Sequence, residues 1–176
     1  MTDSNLDISM PTMFKSYFPV YLLSGLFSLA FSGIYIMVVP LSSLFWPDEP
    51  YHALEMGFLI TSMFWVISIA GLFFGRLIDK YSRTNILFLI SLLRGISMIM
   101  LSFTTIGLGL RSWLYFYVFT FIIGFSAGGN FPTIVSLSHD LVPVNHRSRF
   151  FGIHKITRNS FQLMGFLLTG MLIYFN

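Results

Sequence analysis

Residues 57–84 read GFLITSMFWVISIAGLFFGRLIDKYSRT. From Gly57 to Gly75 no side chain is charged, and then Arg76, Asp79, Lys80 and Arg83 arrive in quick succession. A helix that crosses the hydrocarbon core of a bilayer needs roughly 20 consecutive, mostly apolar residues. This stretch therefore reads as a membrane span, from about Gly57 to Leu77, that runs directly into a charged loop.

The same alternation continues in both directions. A first span lies within 17–39 and ends near Pro40, a third covers 85–103, a fourth 113–137 and a fifth 150–175. The fifth is mixed, because Phe150 to Arg158 is amphipathic and only Asn159 to Phe175 is uncharged. The expected fold class is an all-α, polytopic membrane helix bundle of five transmembrane helices, 17–176, behind a polar cytoplasmic tail, 1–16. The first uncharged run, Ser16 to Pro47, is too long for a cleaved signal peptide and is read as a retained span.

Composition agrees. Hydrophobic residues make up 55% of the 176, charged residues 10%, and the mean hydropathy is +0.78. Soluble domains carry about 25% charged residues to cover their surface. A soluble chain of this size would have nowhere to place 21 Phe, whereas lipid accepts them as outward-facing surface. The formal charge of +3 resides in short gaps between apolar runs, which speaks for membrane orientation rather than nucleic acid. There is no cysteine, so disulfides, thiolate catalysis and cysteine-held metals are excluded.

Orientation follows from the loops. Lys15, Arg76, Lys80, Arg83, Arg147, Arg149, Lys155 and Arg158 fall on one side of the expected spans and only Arg111 on the other, with Arg94 inside. Lys and Arg near span ends mark the cytoplasmic face. The N-terminus is thus expected in the cytoplasm, and the plasma membrane is the expected location.

The loop from Gly75 to Thr84 resembles the signature loop of the major facilitator superfamily, Gly-x-Leu-x-Asp-Arg/Lys-x-Gly-Arg-Arg/Lys. Gly75, Leu77, Asp79, Lys80 and Arg83 match; Ser82 stands in place of the second glycine and Thr84 in place of the last base. Gly124 to Pro132, followed by Asp140, Pro143 and Arg147, is similar to the family's fourth helix and the loop after it. The resemblance implies a transporter that moves a small solute by alternating access, with this loop as a cytoplasmic latch. Asp79 and Arg83 are the expected latch pair, four residues apart as on one helical turn, with Asp140 as a further partner of Arg83. The plainer alternative is that these charges only mark the cytoplasmic face.

Family transporters consist of two six-helix halves about a shared site. Five spans supply one incomplete wall, so this chain alone is not expected to transport. It is read as a truncated product, one piece of a split transporter with a second half, or a small protein that dimerises. A non-transporting membrane interaction protein is the alternative class.

Two residues are candidate substrate contacts. Arg94 lies nine residues into the third span, about 14 Å along the axis at 1.5 Å per residue. A charge so deep is expensive, and it is usually paired or functional. No acid lies inside any expected span, so Arg94 is expected to meet an anionic group of the solute or a further helix. Asn130, beside Gly128, Gly129 and Pro132, is expected to hydrogen-bond either a polar solute or a neighbouring helix. A zinc enzyme built on His139, Asp140, His146 and His154 is disfavoured, since their spacing fits no short zinc pattern. Neither a cofactor nor a metal is implied, and the expected partners are the lipid bilayer and a small solute.

Overall fold

The computed structural model describes residues 10–175. The helices are α1 (Met10–Ser16), α2 (Phe18–Phe45), α3 (Ala53–Ile78), α4 (Arg83–Leu101), α5 (Leu110–Leu141) and α6 (Arg147–Phe175), with one 3-10 turn, Val144–His146. Among the described residues there is no strand, and the chain is an all-α, polytopic helix bundle. Helices are the form to expect, because a backbone in lipid must satisfy its own hydrogen bonds and a helix does so within one segment.

Among the described residues four helices, α2 to α5, are long and apolar enough to cross a membrane. Their outward faces agree: Leu72 is 74% exposed, Phe88 69% and Trp65 68%. Large apolar side chains displayed in such numbers suit a lipid surface and not water. The fifth expected span falls in α6, whose first twelve residues carry Arg147, Arg149, Lys155 and Arg158 and keep it outside that group. Residues 1–9 of the expected tail lie outside the described residues, and the rest of that tail is helical, as α1. The expected end of the first span at Pro40 is also corrected for the helix, which continues to Phe45. Proline there only removes the bond to the carbonyl four residues back, and the flanking apolar turns hold the helix on course.

The chain divides into two units, Val38–Leu141 and residues 1–37 with 142–176. In the first, α3 and α5 run parallel. Trp113 Nε1–H donates to the Glu55 carbonyl at 3.2 Å, Phe58 stacks on Tyr117, and Phe74 meets Phe125, so positions rise together along both helices. By the same test α4 is antiparallel to α5: Tyr115 Oη–H donates to the Met100 carbonyl at 3.1 Å near one end, and Arg83 pairs with Asp140 at the other. This is the alternation that successive membrane crossings require.

Close approach of α3 to α5 depends on small residues. A Cβ on Gly128 would overlap the Ile67 carbonyl oxygen and lie 2.7 Å from the Ala70 Cβ; one on Gly129 would lie 2.6 Å from the Phe74 ring. Gly71 and Gly75 on α3, and Gly124 and Gly128 on α5, are each four residues apart; Gly124 and Gly128 face the contact, whereas nothing lies within 4 Å of a Cβ on Gly75. Two buried apolar clusters flank this seam. One joins Phe45, Trp46, Met56, Leu59, Trp113 and Phe116, and the other Ala70, Phe74, Ile78, Ile86 and Ile90. The α4–α5 turn is tied to the end of α2 by Gly107 N–H to the Leu44 carbonyl, 3.0 Å, and Gly109 N–H to the Phe45 carbonyl, 2.9 Å. Gly109 holds φ +55° there, with Trp46 Nε1 3.0 Å from where a Cβ would sit, a place only glycine fills without strain.

In the second unit the N-terminal part of α2 runs parallel to α6. Tyr21 meets Phe150, Gly25 faces Phe161, Gly165 faces Leu29 and Ser32, and Gly33 faces Thr169.

Candidate functional site

The site is built on the α4–α5 seam, beginning at the turn between α3 and α4. Helix α3 ends at Ile78, and Asp79 caps it with its backbone N–H on the Leu77 carbonyl. Asp79 and Lys80 lie in the turn that follows. Because α3 stops before Asp79 and α4 starts at Arg83, the two residues do not share a helical turn, and the structure does not bring Asp79 and Arg83 together. Arg83 instead donates from Nη1 to Asp140 Oδ2 near the end of α5. A cation at a helix N-terminus and an anion at a helix C-terminus each oppose their own helix dipole. Pairing across the seam relieves both, so this contact ties two helices rather than capping either. With side chains 36% and 47% exposed it is a weak tie, worth about 0–1 kcal/mol, and one that is readily broken and remade.

Deeper along the seam, Ile90 packs at Gly129. Arg94 follows one turn on, 6% exposed. Its Nε–H donates to Ser126 Oγ and its Nη2–H to the Ser126 carbonyl, both at 3.3 Å. Ser126 Oγ in turn donates to the Ile123 carbonyl at 2.8 Å. These contacts to Arg94 are at the long end of hydrogen-bond geometry. Asn130 lies four residues beyond Ser126, on the same face of α5, half-buried. Ser126 and Asn130 therefore share a face of α5, and Ser126 meets Arg94 across the seam.

Sequence reasoning misses Ser126 as a partner of Arg94. A serine within an uncharged run carries no mark of its own. The one available signal is its place between Gly124 and Gly128, where α5 comes close to its neighbours. Further from the seam, His139 and His146 do not gather with Asp140 into a metal centre: among the described residues no group of three His, Cys, Asp or Glu could hold an ion.

Comparison with known proteins fits this arrangement. A family model described as Major Facilitator Superfamily matches residues 10–176. The niacin transporter NiaP of Acinetobacter baylyi is 26% identical over 121 residues, 69% of this chain and 25% of that transporter. The chain thus spans about a quarter of the length of that relative. No solved structure matches significantly. Helices of alternating direction, a charged turn after the second long apolar helix, and a family match across nearly every residue lead to one conclusion: the chain belongs to the Major Facilitator Superfamily.

Proposed function

We propose that this chain forms part of a solute transporter that works by alternating access, with the N-terminus cytoplasmic and α6 as a fifth span in the plasma membrane. The observation that carries the reading is the family match over residues 10–176, joined to a breakable ion pair, Arg83 with Asp140, at the turn expected to be the latch. The facing wall of the cavity comes from further helices, of the same polypeptide or of a second copy. In this reading Gly75, Asp79 and Lys80 shape the turn and its charge, and Arg83 and Asp140 lock one state of the cycle.

Arg94 is the proposed solute contact, with Asn130 beside it. A guanidinium whose contacts to Ser126 are long can exchange them for a carboxylate, which it grips with two parallel bonds. The solute class that follows is a small organic anion.

Uptake by cells expressing the protein tests this, with a panel of small organic acids against cationic and neutral solutes of like size. Arg94→Ala should lower uptake of the preferred acid by roughly 30-fold or more, the loss expected when one partner of a desolvated charge pair is removed. An Arg94→Ala protein with unchanged uptake and affinity overturns the solute role. Orientation is tested separately, aided by the absence of native cysteine. In intact cells a membrane-impermeant maleimide should label Ser102→Cys and spare Ser82→Cys; the reverse pattern sinks the orientation.

A further inference from the structure

The unit of residues 10–37 and 142–175 carries a second set of polar groups, between α2 and α6. Among its described residues there is no Asp or Glu, while Lys15, Arg147, Arg149, Lys155 and Arg158 are all present. Where α2 and α6 begin to run together lie Tyr21, 0% exposed, Ser24, 2%, and His154, 8%. Tyr21 and Ser24 are one turn apart on α2, and the Tyr21 ring centroid is 6.5 Å from that of His154 on α6. The Phe150 ring lies 6.3 Å from that of His154, stacked on it, and 5.2 Å from that of Tyr21, walling the place with an aromatic face.

Two other hydroxyls of α2, Ser32 and Ser43, donate to their own backbone. Ser32, two turns past Ser24, donates to the Leu29 carbonyl at 2.7 Å, the usual solution for a serine within a helix. Tyr21 Oη, Ser24 Oγ and His154 Nε2 are buried with no hydrogen-bond partner among the described residues. Burying a polar group unpaired is unfavourable, and two such groups one turn apart on α2, with a third on α6 whose ring lies 6.5 Å from that of Tyr21, point to a place that holds something. All three can donate: two hydroxyls and, in the neutral imidazole, one ring N–H. Arg158, four residues beyond His154, adds positive charge on the same face of α6. Groups that can all donate, in a unit with five bases and no acids among its described residues, favour an anion over a cation.

We propose that Tyr21, Ser24 and His154 form an oxyanion site between α2 and α6, binding a carboxylate or phosphate group with Arg158 as its neighbouring charge. This inference uses none of the Arg94 contacts and does not rest on the transport reading. The oxyanion comes either from a soluble anion or from the headgroup of an anionic lipid.

The test uses the full chain labelled with 15N-histidine in dodecyl maltoside micelles at fixed pH. Inorganic phosphate, acetate or phosphatidylglycerol is added in separate titrations, and the His154 Nε2 resonance is identified by its loss in His154→Gln. A saturable shift of this resonance is expected in at least one titration, with those of His52, His139 and His146 unmoved. A response to phosphate or acetate identifies a soluble anion, and a response to phosphatidylglycerol alone identifies a headgroup. Tyr21→Phe, which keeps the ring against Phe150, should weaken the apparent affinity roughly ten-fold, and Ser24→Ala should weaken it as well. If no titration moves His154, or if both variants bind as the parent does, the site is refuted.

Discussion

Val38–Leu141 balances its charges and the other unit does not. In the first, Asp48, Glu49, Glu55, Asp79 and Asp140 stand against Arg76, Lys80, Arg83, Arg94 and Arg111; the second has five bases and, among its described residues, no acid. The difference extends to buried polar groups. Arg94, the costliest group in either unit, is held by Ser126, whereas Tyr21, Ser24 and His154 have no hydrogen-bond partner among the described residues. Similar helix packing can thus enclose a closed polar contact in one place and an open donor set in another. A closed contact contributes to structure until something displaces it; an open one is free to bind.

An unpaired group carries this meaning only where both units are packed with equal tightness, so that it is not simply a loose one. Glycines test this. Gly128 in one unit and Gly165 in the other each stand where a Cβ would overlap backbone oxygen, Ile67 in the first case and Leu29 in the second. Gly128→Ala and Gly165→Ala should each destabilise by about 1–3 kcal/mol, the cost of overpacking a filled contact, seen as a lower unfolding midpoint in detergent. If Gly165→Ala is tolerated while Gly128→Ala is not, α2 and α6 have slack and the open donors lose their meaning. Gly75→Ala is the control: with nothing within 4 Å, it should leave the midpoint unchanged or raise stability by up to about 1 kcal/mol through helix propensity.

That contrast between Gly75 and Gly128 also marks what can be read from sequence. Long uncharged runs and the charged turn after Phe74 place α3, α4 and α5 within a few residues, because a membrane imposes length and hydropathy on each crossing. Helix ends are less legible. Pro40 looks like a stop, yet α2 runs on to Phe45, since proline costs one hydrogen bond that neighbouring turns can absorb. Spacing alone groups Gly71 with Gly75, but which face of α3 meets α5 is set by tertiary packing: a Cβ on Gly71 would lie 3.6 Å from the Gly128 carbonyl oxygen, and one on Gly75 would meet nothing within 4 Å. Among the candidate site residues, Arg83 and Asp140 are legible as charges at opposite ends of adjacent spans, and Arg94 as a charge within one. The partnership of Ser126 with Arg94, and the meeting of Tyr21 with His154, are not legible, because which hydroxyls and rings turn toward a neighbouring helix has no periodic signature.

A smaller effect is expected at the Arg83–Asp140 tie. Arg83→Ala and Asp140→Ala should each cost about 0–1 kcal/mol, as for exposed ion pairs. The charge-swapped double variant Arg83→Asp/Asp140→Arg should regain that loss and exceed it slightly, because each charge would then sit at the favourable end of its own helix. A double variant less stable than both single ones would show that Arg83 and Asp140 are held by something other than each other.

The smallest expected effect belongs to a feature of the balanced unit with no counterpart in the other. His52 lies between two carboxylates, Nε2 3.0 Å from Glu49 Oε2 and Nδ1 3.4 Å from Glu55 Oε1, and its ring stacks on Trp46 at 4.0 Å. Partial desolvation works to lower its pKa, but hydrogen bonds to Glu55 and Glu49 outweigh it, and the pKa is raised above 6.5. A pKa raised by folding means stability that is fully present below the unfolded value, near 6.5, and lost as pH rises through the folded one. The unfolding midpoint of the parent should therefore exceed that of His52→Gln by more at pH 6 than at pH 8.5. A gap that stays constant between these pH values would mean that the stacking on Trp46, and not the charge between Glu49 and Glu55, is what fixes this loop.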